Sequence, residues 1–332
     1  MQDLSSLLTK FPKKSLAFLP TPIQFLQQSS DSLQGPKIYI KRDDHTGLAF
    51  GGNKTRKLEY LFGHALEQDI DTIITAGALQ SNHCRQTAAA AAQLGLSCEL
   101  LLHSTKPKSI EGNVLLDTLS NAKIHWQLEP DAPKSLEELA VQLKSQNKKP
   151  YIIPYGGSNA IGSLGYVQAM FEFCKQQQAL PDKVTHIIFA SCSGATQVGL
   201  EIGARLAGFT GKIIGISVDY NDSQKSTYQQ EHADLANNTA QHMQNNLHFT
   251  PEDFSIIYDY ATGYAQIGNL EKNAIHFLAQ HEGIFLDPIY SGRAFGAMLD
   301  MIQKNYFTKD DVLLFWHTGG TPALFAFQQE IL

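Results

Sequence analysis

Gly51-Gly52-Asn53-Lys54-Thr55-Arg56-Lys57-Leu58-Glu59 sets one lysine, Lys54, behind two glycines and an asparagine at the mouth of a predicted helix. Glycine lacks a Cβ, so the backbone there can turn sharply or approach a ligand. Asparagine is a good helix N-cap, because its side-chain oxygen satisfies an orphan amide of the first turn. A lysine at a helix N-terminus, where the dipole disfavours its charge, has a reason to lose its proton. A neutral amine is a nucleophile, and its use would be a Schiff base with a carbonyl cofactor. A solvated first-turn lysine is the ordinary account, and on this stretch alone it is the better one.

Four further loops carry chemistry-bearing residues where a predicted strand or apolar run gives way to a helix. Ser191-Cys192-Ser193-Gly194-Ala195-Thr196 is built of small residues whose amides and hydroxyls can converge on an anion such as phosphate, with the helix dipole adding positive potential. A plain strand–helix turn is the competing account. The loop lacks a Walker A lysine and the dinucleotide fingerprint, which argues against ATP and NAD. In Gln80-Ser81-Asn82-His83, Ser81 or Asn82 would ordinarily cap a helix. Asn82 could instead donate to a cofactor ring oxygen, and Ser81 could hold a carboxylate or relay a proton, while His83 reads better as a structural histidine than as a base. Asp287-Pro288-Ile289-Tyr290-Ser291-Gly292 places Tyr290 at a strand end, to stack on a ring, to act as acid or base, or simply to pack with its hydroxyl bonded. Thr318, in His317-Thr318-Gly319-Gly320, offers a neutral hydroxyl whose ordinary role is a helix cap.

The elements that must hold these loops alternate between strand and helix. Apolar, β-prone runs are predicted at 37–44, 71–77, 97–102, 123–126, 151–154, 185–190, 212–218, 254–258 and 312–316. Helical periods fall at 54–67, 86–94, 113–119, 135–146, after Gly165, up to Ala207, and at 270–281 and to Gln303, with a polar helix within 219–246 and a final helix after Pro322. The proline-bearing lead-in has one short helical stretch at 23–28, and Gly156-Gly157-Ser158-Asn159 with Gly162 and Gly165 reads as a break. Such alternation means mostly parallel sheets with helices on both faces, arranged as two α/β units. Ligands of such sheets sit beyond the carboxyl ends of the strands.

The 332 residues are 43% hydrophobic and 17% charged, with a net charge of −6. That length suits about two domains of roughly 150 residues, and the acidic balance excludes a basic nucleic-acid face. Cys84, Cys98, Cys174 and Cys192 have neither disulfide nor metal spacing, so reduced thiols and no metal site are expected. Residues 1–7 do not read as a secretory signal, and no apolar run reaches the ~18 residues of a membrane span. A soluble, cytoplasmic protein is the expectation.

Leu19-Pro20-Thr21-Pro22, Lys41-Arg42-Asp43-Asp44, Phe50 through Glu59, Gln80-Ser81-Asn82-His83 and His317-Thr318-Gly319-Gly320 together resemble the pyridoxal-phosphate enzymes of the tryptophan-synthase-β type. More closely they resemble the branch that contains 1-aminocyclopropane-1-carboxylate deaminase and D-cysteine desulfhydrase. The resemblance runs over nearly the whole chain. It implies an α/β fold of two open, twisted, mostly parallel sheets flanked by helices, with the cofactor in the cleft between domains. The larger domain would comprise residues 1–47 and 162–332, and the smaller one residues 48–161.

By resemblance, pyridoxal 5'-phosphate is the cofactor and Lys54 the lysine of its Schiff base. Asn82 would bond the ring oxygen, Ser81 would lie beside the substrate carboxylate, and Cys192, Ser193, Gly194, Ala195 and Thr196 would cradle the phosphate. Tyr290 would pack near the reacting carbons with Tyr264 as a second pocket tyrosine, and His83 and Ser291 would complete the substrate pocket. Thr318 would face the pyridine nitrogen, and a neutral partner there suits elimination over transamination. The phosphate loop is less glycine-rich than the family pattern, which bears on individual contacts rather than on the loop's role. Deaminases of the branch carry Glu after the pocket tyrosine and Gln after Ser-Asn. Here Ser291 and His83 hold those places, so the resemblance implies a lyase eliminating sulfide from D-cysteine, with Lys54 or Ser81 as the Cα base. The alternatives are cyclopropane-acid deamination, cysteate sulfo-lyase activity, or an inactive amino-acid-binding homologue. A homodimer acting on a small amino acid, without nucleic acid or membrane, is implied by the family.

Overall fold

The computed structural model describes residues 4–332, with side chains described from Ser6 onward. Met1–Asp3, part of the N-terminal stretch considered above, lie outside the described residues. Among the described residues, ten strands form two sheets. In the larger, β1 (Ile23–Phe25), β2 (Lys37–Arg42), β7 (His186–Ser191), β8 (Lys212–Ser217), β9 (Ser255–Ile257) and β10 (Val312–His317) are ordered β1-β2-β10-β7-β8-β9. The smaller contains β3 (Thr72–Ala78), β4 (Ser97–His103), β5 (Lys123–Trp126) and β6 (Pro150–Ile152), ordered β5-β4-β3-β6. Every pairing is parallel except β1 with β2, which gives the two mostly parallel sheets expected of an α/β chain.

The helices are α1 (Gln27–Leu33), α2 (Asn53–Leu66), α3 (Asn82–Gln93), α4 (Gly112–Leu119), α5 (Leu136–Ser145) and α6 (Ala160–Gln177). They continue with α7 (Ala195–Ala207), α8 (Lys225–His242), α9 (Asn269–Glu282), α10 (Ser291–Gln303) and α11 (Gln328–Ile331). Strands β7 and β10 are buried along their whole length, because helices cover both faces of a parallel sheet. No helix among the described residues is long and apolar enough to cross a membrane.

Four differences from the sequence expectation have identifiable causes. Residues 23–28 are not one helical stretch: Ile23–Phe25 is drawn into an antiparallel edge by β2, and a helix starts only at Gln27. Helix α3 starts at Asn82 rather than Gln86, because the Ser81 hydroxyl accepts the Cys84 amide at 3.1 Å and so caps a polar first turn. Gly162 and Gly165 do not break the chain but lie inside α6, where a Cβ would overlap the carbonyl oxygens of Gly157 and Arg56. Gly165 lets α6 approach α2 backbone to backbone, and Gly162 lets the start of α6 close against the preceding turn at Gly157. Finally, the chain after Pro322 forms a 3₁₀ segment, Thr321–Ala326, before the short α11.

A buried polar cluster locks α2 in place. Asp43 accepts from Arg56 (2.9 and 2.8 Å), Thr21 Oγ1 (2.8 Å), Tyr166 OH (2.7 Å) and Trp316 Nε1 (2.8 Å). Arg56 also bonds Glu172, which pairs with Lys41 at 2.5 Å. The donors come from the lead-in, α2, α6 and β10, so this cluster fixes the helix that carries Lys54.

Candidate active site

Lys54 is the second residue of α2, and its Nζ donates to the Gly156 carbonyl at 3.4 Å. The helix is capped by Gly52, not by Asn53 as the composition suggested. Asn53 instead begins the helix, donating its backbone amide to Thr318 O (2.9 Å) and its side-chain amide to Thr196 Oγ1 (3.1 Å). Gly52 packs against Gly319, where a Cβ would lie 2.6 Å from Gly52 Cα, so the glycine pairs flanking Lys54 and following Thr318 touch. This contact joins the turn before α2 to the carboxyl end of β10.

The cleft around Lys54, of about 660 Å³ and open to solvent, is lined by residues from loops that are distant in sequence. Of the expected residues, Lys54, Ser81, Asn82, His83, Cys192, Ser193, Gly194, Thr196, Tyr290 and Thr318 line it. Ala195, Tyr264 and Ser291 lie outside the lining. The Ala195 amide donates to Ser158 Oγ (3.3 Å), and Tyr264 meets Tyr290 edge-on with ring centroids 6.0 Å apart. Ser291 is fully buried, its hydroxyl donating to Asp287 Oδ1 at 2.6 Å and accepting the Asp287 amide at 2.8 Å.

Burial is the main reason the Lys54 pKa is lowered, so the cause is desolvation before any helix dipole. Lys57, one turn on, donates to the same Gly156 oxygen at 3.2 Å, and its pKa is lowered further by burial and then by the Lys54 charge. The sequence reading passed over Lys57, although its i+3 spacing from Lys54 puts it on the same helix face. Tyr155 and Gly156 were missed too, because nothing in the local sequence links the end of β6 to α2.

His83 is neutral: burial and then the two lysines push its pKa well down. Its Nε2 meets Thr75 Oγ1 at 2.8 Å, and since that hydroxyl donates to Ile153 O (2.8 Å), Nε2 carries the proton. The remaining nitrogen, Nδ1, makes no hydrogen bond although it is buried. Burial raises the Cys192 thiol to about 11, so it stays protonated beside the lysines. Tyr290 does not follow a strand. An aspartate turn holds it at the start of α10, with Asp287 Oδ2 accepting the Ile289 (3.0 Å) and Tyr290 (2.9 Å) amides. Burial pushes its phenol well up, so it is protonated. Thr318 caps no helix, since Gly320 occupies the position before the 3₁₀ segment.

These groups fit pyridoxal phosphate. Gly194 gives the 13-residue α7 no side-chain cap, so apart from the Ala195 amide, which Ser158 accepts, its first-turn amides are left for an anion beside Ser193 and Thr196. Lys54 is a desolvated amine suited to the cofactor's carbonyl, and the Asn82 amide and Thr318 hydroxyl line the same cleft.

Fold and cleft together define a lysine-centred α/β enzyme. A family model described as pyridoxal-phosphate dependent enzyme matches residues 14–319, and the chain belongs to that family. Two proteins from strains of Klebsiella pneumoniae, each described as D-cysteine desulfhydrase, are 40% identical to it over 98% of both chains. A crystal structure of a protein described as the ACC deaminase homologue is 35% identical and superposes with a TM-score of 0.89, covering 100% of this chain and 98% of that one.

Proposed function

We propose that this chain is a lyase that cleaves D-cysteine to pyruvate, hydrogen sulfide and ammonia. The carrying observation is the 40% identity, over 98% of both chains, to relatives described as D-cysteine desulfhydrases. Pyridoxal phosphate, when bound, supplies the electron sink that lets an amino acid lose its Cα proton and β-substituent.

The chain's own residues supply the rest. Lys54 Nζ, whose pKa burial lowers, takes the Cα proton. Ser81 is a weaker base, because an ordinary hydroxyl titrates far above neutrality; it serves the substrate carboxylate as a donor. The end of α7 holds the phosphate with Ser193 and Thr196, Lys57 adds positive charge through space, and Asn82 and Thr318 orient the ring. Tyr290, a neutral phenol at the cleft wall, shields the reacting carbons and can give a proton to the departing sulfur. Among the described residues the lining has no Asp or Glu, and a thiolate leaves without the carboxylate that opening a cyclopropane would use.

A homodimer and a cytoplasmic location complete the proposal. The large apolar side chains of Phe18 (76% exposed), Phe50 (66%) and Phe325 (71%) support association, and sedimentation at equilibrium tests it. The function is tested by assaying sulfide from D- and L-cysteine side by side, with sulfite from cysteate and 2-oxobutyrate from 1-aminocyclopropane-1-carboxylate in parallel. Sulfide and pyruvate in equal amounts from the D-isomer are expected. Sulfite or 2-oxobutyrate as the dominant product would reassign the substrate, and a cofactor-loaded protein releasing none of the three would be a binding protein.

A further inference from the structure

Asn82 faces the cleft with an amide whose two ends are chemically different, one an acceptor and the other a donor pair. Which end reaches the ligand is decided by residues behind it. Arg85, fully buried on α3, donates through one terminal nitrogen to Asn113 Oδ1 (3.0 Å) and through the other to Gly51 O (2.7 Å). A guanidinium only donates, so Asn113 must turn its oxygen toward Arg85. Its side-chain NH₂ then points the other way, to the Gln80 carbonyl (2.8 Å) and Asn82 Oδ1 (2.9 Å). Asn82 therefore has its oxygen engaged at the back, and Nδ2 is left facing the cleft beside Gly320.

The relay is itself fixed. The Asn113 backbone amide, in the first turn of α4, donates to Gln80 Oε1 at 2.8 Å, and Asn113 is fully buried. Arg85 Nε and both oxygens of Asp117 are buried without hydrogen bonds, and Asp117 and Asp287 act on the guanidinium through space. Burial lowers the Arg85 pKa to about 10, which leaves it charged at neutral pH. Because Arg85 also holds the carbonyl of Gly51, one cation fixes both the turn preceding Lys54 and, through Asn113, the Asn82 amide.

We propose that Asn113, held by Arg85, is a positioning residue that sets the Asn82 amide with its NH₂ toward the cleft, so that the site offers a donor to the phenolic oxygen of bound pyridoxal phosphate. The inference rests on the cofactor reading above, not on the identity of the amino-acid substrate. It concerns an alignment that neither Asn82 nor the cleft lining specifies alone. If the Asn82 amide turned over, an acceptor would face a phenolate oxygen, replacing attraction with repulsion.

Asn113→Asp tests it. The change keeps volume and the acceptor for Arg85 but removes the donor to Asn82, whose amide then turns its NH₂ backward. Pyridoxal-phosphate affinity, measured by titrating cofactor-free protein, should weaken by about 10- to 100-fold, the usual cost of losing a supporting partner at such a site. The visible absorption maximum of the bound cofactor should move as it does in Asn82→Ala. In an Asn82→Ala background, Asn113→Asp should change affinity by less than about twofold, because residues acting through one another are not additive. An equal loss in both backgrounds, or an unmoved absorption maximum, overturns the proposal. If Asn113→Asp does not fold, Asn113→Ser compared in the same two backgrounds decides in the same way. Failure of the cofactor reading would look different, since wild-type protein would then show no visible band at all.

Discussion

Lys54 and Lys57 share a single acceptor: their Nζ atoms lie 3.4 and 3.2 Å from the carbonyl oxygen of Gly156. Two amines in one desolvated cleft oppose each other's charge, and burial weighs against both. Each amine therefore gives up its proton more readily than a free lysine, and an arriving anion favours the charged form.

Lys54→Ala should abolish the visible absorbance of the cofactor-loaded protein and lower sulfide release by at least about 1,000-fold, because the proposed mechanism makes the covalent anchor and the base one atom. Spectra and turnover are measured on the same sample. Turnover near the wild-type rate would end the Schiff-base account.

Lys57 governs a pH dependence. Its folded pKa lies well below 10.5, so between the two values the unfolded chain holds the extra proton, and the stability of the cofactor-free protein rises with pH. A fully titrating group contributes at most about 1.4 kcal/mol per pH unit. Urea unfolding across that interval should show a flatter slope for Lys57→Met than for wild type. Lys57 acts through space on the Cys192 loop, so an anion there favours the charged lysine, and the same variant should bind pyridoxal phosphate roughly 10-fold more weakly.

Asp43 is a stability residue. Burial pushes its carboxyl up, but Arg56 and the surrounding donors prevail and hold it at about 2. Its stabilisation is therefore complete above the ordinary value of 3.8 and is lost as pH falls through about 2. Asp43→Ala leaves Arg56 buried without that partner and should cost about 3–5 kcal/mol in equilibrium denaturation. A loss below 1 kcal/mol, ~0.5 being typical of a surface change, would mean that Glu172 suffices.

Ser291 should act on stability rather than on substrate choice, since its hydroxyl serves Asp287 behind the cleft. Ser291→Ala is expected to cost about 1–3 kcal/mol for the polar groups left unmatched, with the ratio of kcat/KM for D-cysteine to that for the cyclopropane acid unchanged. A change in that ratio at constant stability would return Ser291 to the substrate pocket.

Much of the molecule was legible because it is set by short-range physics. The apolar periods of α2 and α7, the alternation of strand with helix, and the small-residue turn at Ser191–Thr196 are all written within a few residues. Those signals sufficed for the two mostly parallel sheets and, with the motifs at Lys54 and Ser81-Asn82, for the cofactor family. What stayed hidden depends on partners far along the chain. Asn53 lost its capping role because Thr196 and Thr318 lie within its reach, and residues 23–25 became a strand because β2 offered them an edge. Gly156 meets Lys54 across 102 positions, and Arg85 reaches Asn113 across 28. The sequence by itself determined the elements, the family and the lysine. Only the packing of α2 against α6 and the convergence of distant loops decided which groups surround that lysine, because hydrogen bonds and desolvation act through space, and burial is a property of the assembled fold.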